Sequence, residues 1–407
     1  MKPKSFMLIA GEASGDLLAA ELVAALRAAS KLGEDGRAPQ FFGAGGAKMS
    51  GAGVELAFDM TRHAVTGIPS LGKLFQGRRL FHQLLALAVE RKPDVVIGVD
   101  YGFFNLRFGH AVRKYVRENP FVKWNLKIVQ FVSPQVWASR PGRADRLARD
   151  YDLLLSIFPF EKAWYAVRVP QLRVEFVGHP MIGRFANDDL RFTRREIGRS
   201  RGDETQTKDK LETPYVVSYK KILLLPGSRR SELQRHLPVL LDALKMIQAK
   251  LPAARAKIVL PNESLLPLAK SLCTNLEIQI GDLPQALSEA DVAIASTGTV
   301  TMECAFFGVP TVTLYKTSWL TYQIARRLIT VKSLTMPNLL AGEPVYPEFI
   351  QHDATPENLS RAALELLQDE SRRAKIKSQL AKIISSLGEP GAAARAAAAV
   401  LSLFNNL

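Results

Sequence analysis

Two α/β units in series are what this sequence predicts, each a Rossmann-like, doubly wound parallel sheet, the two facing one another across a cleft. Three observations lead there. Short apolar runs of strand length alternate with amphipathic helical stretches, the pattern of a parallel sheet with crossover helices. That alternation stops over residues 186–215, which are rich in Asp, Arg, Lys and Thr with little periodicity, and then restarts. Finally, 407 residues are too many for one ordinary core and suit two domains of about 200 residues.

Taken in order, Ser5–Ala10 is the first expected strand, followed by the turn Gly11–Asp16 and a helix to about Ser30. Strands follow at Gln40–Gly43, Val95–Val99, Lys127–Val132, Leu153–Ile157 and Val174–Val177, each closed by a polar or Gly/Pro-containing loop. After the break come Ile222–Leu225, Ala256–Leu260, Glu277–Ile280, Val292–Ala295 and Thr311–Leu314. Residues 391–407 are Ala-rich and helical by propensity. The expected division is therefore a first domain over 1–185, a variable linker or surface excursion over 186–215, and a second domain over 216–385. The terminal helix, about 386–407, is expected to pack back on the first domain. No repeat of fixed period is present.

Composition narrows the function. Hydrophobic residues make up 47% and charged residues 23%, which excludes wholesale disorder. Cys273 and Cys304 cannot build a disulfide framework, and a reducing compartment follows. The longest weakly polar stretch, Val292 to Met302, falls far short of the about 18–20 residues of a membrane span. Phe6–Ala10 is too short for a signal-peptide core of roughly 7–15 residues. The chain is thus expected in the cytoplasm, free or attached to a membrane from outside.

No metal is expected. His63, His82, His110, His179, His236 and His352 show no ligand-like pairing, and neither cysteine lies in a C-x-x-C. Asp150-Tyr151-Asp152 is formally a D-x-D, the pattern many glycosyltransferases use for a divalent ion, but it falls where a helix hands over to a strand and reads as structural.

The net charge of +15 points to an anionic partner: phosphate, nucleic acid or a membrane surface. Residues 101–150 carry much of it, with ten lysines and arginines against Glu118, Asp145 and Asp150. Residues 251–300 run the other way, with three bases against five acids. No helix-turn-helix, zinc finger or ribonucleoprotein motif accompanies the basic stretch, so a solvated basic helix is the alternative to a functional anionic surface.

Four loops could carry chemistry. In LLLPGSRRSELQRH (223–236) a strand runs into Gly227, Ser228 and Arg229 and a helix start at Ser231, with Ser231 and Gln234 fitting an S-x-x-Q capping box. Such a turn aims backbone N–H groups at an anion, and Arg229 can grip two phosphate oxygens. An ordinary turn with solvated arginines is the alternative. In DVAIASTGTVTMEC (291–304) a strand ends at Ser296, Thr297, Gly298 and Thr299, again donors for an anion. Glu303, one turn on, could accept hydrogen bonds from a ribose diol, and an idle carboxylate in that apolar setting would be costly.

The third loop is GEASGD (11–16). Gly11 and Gly15 permit close backbone approach and Ser14 can donate a hydrogen bond. It is neither G-x-G-x-x-G nor a P-loop, and its acids, Glu12 and Asp16, argue for sugar hydroxyls rather than diphosphate. An Asp-capped helix start is the alternative. The fourth is VVIGVDYGFFN (95–105), where Asp100 closes a strand at a position fit for a general base or for a turn aspartate.

Together GEASGD (11–16), FVSPQVWASRPGR (131–143), FPFEKAWY (158–165), FVGHPM (176–181), LLLPGSRRSEL (223–233), STGTVTMEC (296–304) and MPNLLAGEPVYPEFIQ (336–351) resemble the lipid-A-disaccharide synthase family. The resemblance runs in order through most of the chain. It implies a metal-independent, inverting glycosyltransferase of GT-B type with no cofactor. The donor it implies is UDP-2,3-diacylglucosamine, the acceptor 2,3-diacylglucosamine 1-phosphate (lipid X). By motif, Asp100 is implied as the base for the acceptor 6-hydroxyl, Arg229 as the holder of the UDP diphosphate, and Glu303 as a neighbour of the ribose. Gly11, Glu12, Ser14, Gly15, Asp16, Asn105, Gln135, His179 and Asn338 are expected along the substrate cleft. The family often has a second Asp in the loop after the first, and Asp100-Tyr101-Gly102-Phe103-Phe104-Asn105 has none.

Both implied substrates carry acyl chains, so the first domain is expected on the acceptor and membrane side, peripheral to the inner membrane. Residues 67–81 (GIPSLGKLFQGRRLF) mix apolar and basic side chains suited to an anionic interface; a helix packed on its own domain is the alternative. The oligomeric state is open, a homodimer included. Two other readings stand beside the synthase: a UDP-N-acetylglucosamine 2-epimerase of the same architecture, and a basic nucleic-acid-binding protein, against which the missing motifs speak.

Overall fold

In a computed structural model, residues 5–30, 38–60, 71–185 and 219–404 are described, without the side chains of 71–76. The chain divides into two compact units, one over 1–183 with 387–407 and one over 184–386.

The first unit holds a seven-stranded, all-parallel sheet: β1 (Ser5–Ala10), β2 (Gln40–Gly45), β3 (Glu55–Asp59), β4 (Val95–Val99), β5 (Lys127–Phe131), β6 (Leu153–Ser156) and β7 (Val174–Phe176). Its order is β3-β2-β1-β4-β5-β6-β7. The central strands are mostly apolar because helices cover both faces, and β4 is buried at every residue. The terminal helix Ala392–Leu401 packs against the helix Ala13–Ala29 of this unit, and the Arg395 guanidinium donates to the main-chain oxygens of Val177 (2.8 Å) and Pro390 (2.8 Å).

The second unit repeats the plan with six parallel strands: β8 (Lys221–Leu225), β9 (Arg255–Leu260), β10 (Glu277–Ile280), β11 (Val292–Ser296), β12 (Thr311–Tyr315) and β13 (Glu348–Ile350), in the order β10-β9-β8-β11-β12-β13. In each sheet the winding reverses beside the first strand, between β1 and β4 and between β8 and β11. Doubly wound sheets bind ligands beyond the carboxyl ends of their strands at such reversals. All four loops singled out above sit there: Gly11–Asp16 after β1, Asp100–Asn105 after β4, Pro226–Arg230 after β8 and Ser296–Thr299 after β11.

The sequence reading missed two strands. Among the described residues β3 is an edge strand pairing only with β2, and its short apolar stretch Leu56–Phe58, exposed or half-buried, is too brief to mark it. β13 is three residues long and entirely half-buried. Residues 186–215 lie outside the described residues. Among the described residues, no helix is long and apolar enough to cross a membrane.

Candidate functional site

The first unit builds its site around Asp100. Asp100 and Tyr101 both have positive φ, 50° and 43°, a backbone state that costs energy for non-glycine residues and collects at functional sites. Side chains hold it. The Asn105 Nδ2 donates to the Asp100 carbonyl oxygen at 2.9 Å and the Gln130 Nε2 at 3.0 Å. The Asp100 N–H donates to the Phe131 carbonyl at 2.8 Å. Turned this way, Tyr101 lays its ring against Gly11, where a Cβ would come within 2.3 Å of the Tyr101 ring, so only glycine fits there.

The Asp100 carboxyl accepts a hydrogen bond from the Ser14 hydroxyl at 3.3 Å. Burial pushes its pKa up, opposed by hydrogen bonds from the Tyr101 backbone and Ser14. The carboxyl therefore holds its proton more firmly than a surface aspartate does. The structure thus brings Gly11, Ser14, Gly15, Asp100 and Asn105 together. Glu12 is exposed at the helix N-cap, and Gln135 is exposed in the loop after β5. His179 lies after β7, its ring 5.5 Å from that of Phe158 and its Nδ1 accepting from the Met181 N–H at 3.3 Å.

Asp16 needs correction as a contact for sugar hydroxyls. It is buried, and its carboxylate accepts from the backbone N–H groups of Gly46 (2.7 Å), Lys48 (2.9 Å) and Met49 (3.0 Å). It fastens the loop after β2 and the start of the helix Ala47–Gly51. Asp150 and Asp152 are engaged likewise. Asp150 meets His110 at 2.8 Å and Arg149 at 3.1 Å, and Asp152 pairs with Arg113 and accepts from the Ile128 N–H at 2.7 Å. Among the described residues, no three or more His, Cys, Asp or Glu side chains converge as a metal site.

A buried network joins the motifs after β5 and β6, one that no residue pattern announces. The Trp137 indole donates to Glu161 Oε1 at 3.0 Å, and the Ser133 and Tyr165 hydroxyls lie 3.1 Å apart. Burial lifts the Glu161 carboxyl from 4.5 to about 7, opposed by hydrogen bonds from Trp137 and Ser133.

In the second unit the helix after β8 begins at Arg230, not Ser231. Glu232, not Ser231 with Gln234, caps it, accepting from the N–H groups of Ser228 (3.0 Å) and Arg229 (3.2 Å). Gly227 has φ 119°, and a Cβ there would fall 2.5 Å from Glu232 Oε2. The turn amides read as anion donors thus already serve a carboxylate. The Arg229 guanidinium remains half-exposed, 3.7 Å from Glu232. Buried His236 ties this turn to the end of β12: its Nδ1 lies 2.8 Å from the Pro226 carbonyl and its Nε2 accepts from the Lys316 N–H at 2.9 Å. Burial lowers its pKa, consistent with a neutral ring.

After β11, Ser296 is buried, Thr297 half-buried, and Gly298 and Thr299 exposed. Glu303 lies in the first turn of the following helix, its carboxyl pushed up to about 7 by burial and drawn down by Arg184. Near neutrality it can both donate and accept a hydrogen bond. Asn338 is a second correction. Its Oδ1 accepts from the Val345 (2.9 Å) and Tyr346 (2.8 Å) N–H groups, and its Nδ2 donates to the Tyr346 carbonyl and to Glu348, both at 2.8 Å. It organises its own loop and leaves no amide group for a ligand.

Of the membrane candidate 67–81, residues 67–70 lie outside the described residues. Leu80 and Phe81 pack on the core, Phe81 edge-on to Phe104 (5.6 Å) and Phe108 (5.7 Å), while Arg78 and Arg79 are exposed. The sequence reading passed over a second amphipathic helix, Trp319–Leu328, which buries no residue and leaves Trp319 66%, Leu320 56% and Ile324 53% exposed beside Arg326 and Arg327.

Two Rossmann-like sheets with loops gathered at their winding reversals define the GT-B type of α/β protein, and solved structures share that fold. UDP-GlcNAc 2-epimerase from Neisseria meningitidis matches with a TM-score of 0.59 at 12% identity, over 99% of this chain and 100% of that one. The calicheamicin glycosyltransferase matches with a TM-score of 0.56 at 14% identity, over the whole of both chains. At such identities they speak for the fold alone. A family model described as lipid-A-disaccharide synthetase matches residues 6–402. The lipid-A-disaccharide synthase of Trichlorobacter lovleyi is 35% identical over 408 residues, covering 99% of this chain and 98% of that protein. That of Myxococcus xanthus is 33% identical over 413 residues, covering 98% of each. The chain belongs to the lipid-A-disaccharide synthetase family.

Proposed function

We propose that the chain condenses UDP-2,3-diacylglucosamine with 2,3-diacylglucosamine 1-phosphate to give the β-1′,6-linked lipid A disaccharide 1-phosphate and UDP. Support comes above all from Asp100: a carboxyl with raised pKa, clamped at the winding reversal of the first sheet, in a chain that matches this family over nearly its whole length. The acceptor 6-hydroxyl oxygen attacks the donor anomeric carbon, its proton passes to the Asp100 carboxylate, and the bond from that carbon to the diphosphate oxygen breaks. One direct displacement with one base inverts the centre.

The departing UDP gains negative charge, which the Arg229 guanidinium and the exposed Gly298–Thr299 backbone meet in this reading. Glu232 already holds the amides after Gly227, so Arg229 carries more of that task than the turn does. Glu303 hydrogen-bonds the ribose. The exposed apolar and basic groups of Trp319–Leu328 support peripheral attachment to an anionic membrane surface. The reading is tested by incubating the purified chain, in EDTA, with both glycolipids. Disaccharide and UDP in equal amounts are expected, and conversion of UDP-N-acetylglucosamine alone to its 2-epimer would contradict it.

A further inference from the structure

The basic stretch 101–150 sorts into two sets. Arg113 and Lys127 lie against Asp152, Arg117 and Arg149 against Asp150, and Lys114 against Glu118. Arg107, Lys123, Arg140, Arg143 and Arg146 make no ion pair among the described residues, and Asp145, on the same helix as Arg143 and Arg146, is exposed and pairs with none of them. Three of these arginines converge. With Phe103 and Leu106 they line a cavity of about 230 Å³. Phe103 is 61% exposed, and the guanidinium carbons of Arg107 and Arg143 stand 5.2 and 5.9 Å from its ring centre.

Like charges gathered with no acid repel one another. Burial, together with Arg140 and Arg146, pulls Arg143 below the usual guanidinium value. Arginine forks suit the oxygens of a phosphate, and the apolar floor suits a sugar face or acyl stem. The position favours the phosphate of the acceptor. Phe103 stands three residues beyond Asp100, in the first turn of the helix Gly102–Glu118, on the unit that supplies the base for the acceptor hydroxyl.

We propose that the pocket formed by Phe103, Leu106, Arg107, Arg143 and Arg146 binds the phosphate monoester of the acceptor glycolipid and so selects phosphorylated acceptors. This rests on the glycosyl-transfer reading above. A phosphate held here anchors one end of the acceptor while Asp100 addresses its hydroxyl.

The test compares short-chain soluble acceptors with and without the 1-phosphate, in wild type, Arg107→Gln and Arg143→Gln, with thermal melting as the check on folding. Each substitution should raise KM for the phosphorylated acceptor about ten- to a hundredfold, the loss of a charge-assisted hydrogen bond, and leave KM for the dephosphorylated acceptor unchanged. Arg143→Lys should fall between. Equal shifts for both acceptors, or no shift with either, would overturn the pocket while leaving glycosyl transfer standing. So would a loss confined to binding of anionic phospholipid vesicles, which would give the arginines to the bilayer. If wild type makes no disaccharide from either acceptor, the function fails instead. Equilibrium binding of the phosphorylated acceptor to wild type and Arg143→Gln then still decides the pocket: tighter binding by wild type upholds it and equal binding overturns it.

Discussion

The side-chain amide of Asn105 donates to the main-chain carbonyl of Asp100 at 2.9 Å, and this bond, with its twin from Gln130, holds a non-glycine residue at positive φ. We propose that Asn105, expected along the substrate cleft, positions Asp100 through its Nδ2. Asn105→Ala should cost about 1 kcal/mol of stability, the worth of one hydrogen bond, because the Asp100 carbonyl keeps its bond from Gln130. It should lower kcat more than it changes KM for the UDP-sugar. Urea unfolding and steady-state kinetics check both, and an unchanged kcat would remove Asn105 from the positioning of Asp100.

Ser14 controls the proton on that carboxyl. Its hydrogen bond favours the charged form while burial opposes it. A base must be deprotonated to act, so activity falls as pH drops through the pKa of Asp100. In Ser14→Ala the supporting bond is gone, the pKa rises further, and the acid limb of the kcat/KM profile moves to higher pH. A limb that stays in place or moves down would contradict the assignment.

Arg229 has the simplest signature. Among the described residues the half-exposed guanidinium carries no structural bond beyond its 3.7 Å approach to Glu232. Arg229→Ala should leave the melting temperature nearly unchanged and weaken UDP binding about ten- to a hundredfold, as loss of a bidentate charge-assisted contact does. Isothermal titration with UDP reads the difference directly.

Glu161 makes stability pH-dependent. Its folded pKa of about 7 lies above the 4.5 of an ordinary glutamate. The folded state therefore binds the proton more tightly, and its contribution is complete below the unfolded value and is lost as pH rises through about 7. Between those limits one such group changes stability by about 1.4 kcal/mol per pH unit. Glu303 titrates in the same sense. Wild type should melt at lower temperature as pH rises across this window, and Glu161→Gln, which imitates the protonated acid, should flatten the slope without abolishing it. An unaltered slope would count against a raised Glu161.

Much of this was legible in the residues. Strands buried on both faces advertise themselves as apolar runs, so β1 and β4 fall where the sequence put them, and the turns after β1, β4, β8 and β11 were found with them. What stayed hidden was which partner a polar side chain would choose. Asp16 reads as a loop acid because nothing in GEASGD reveals that residues 46–49 bring three amides to it. Asn338 reads as a ligand group until its loop folds back around it. Ser231 and Gln234 match a capping box by spacing, yet Glu232 reaches the free amides first because the helix begins one residue earlier. The basic window showed its charge but not its division into paired arginines and a pocket.

The central claim is that Asp100 removes the acceptor proton in lipid A disaccharide formation. The rate of disaccharide formation by Asp100→Asn, measured beside wild type with both glycolipids saturating and UDP affinity confirmed equal, tests it most directly. The account predicts a loss of about 10²–10⁴-fold, the usual contribution of a general base, with UDP binding intact. An Asp100→Asn enzyme that turns over at the wild-type rate would contradict it.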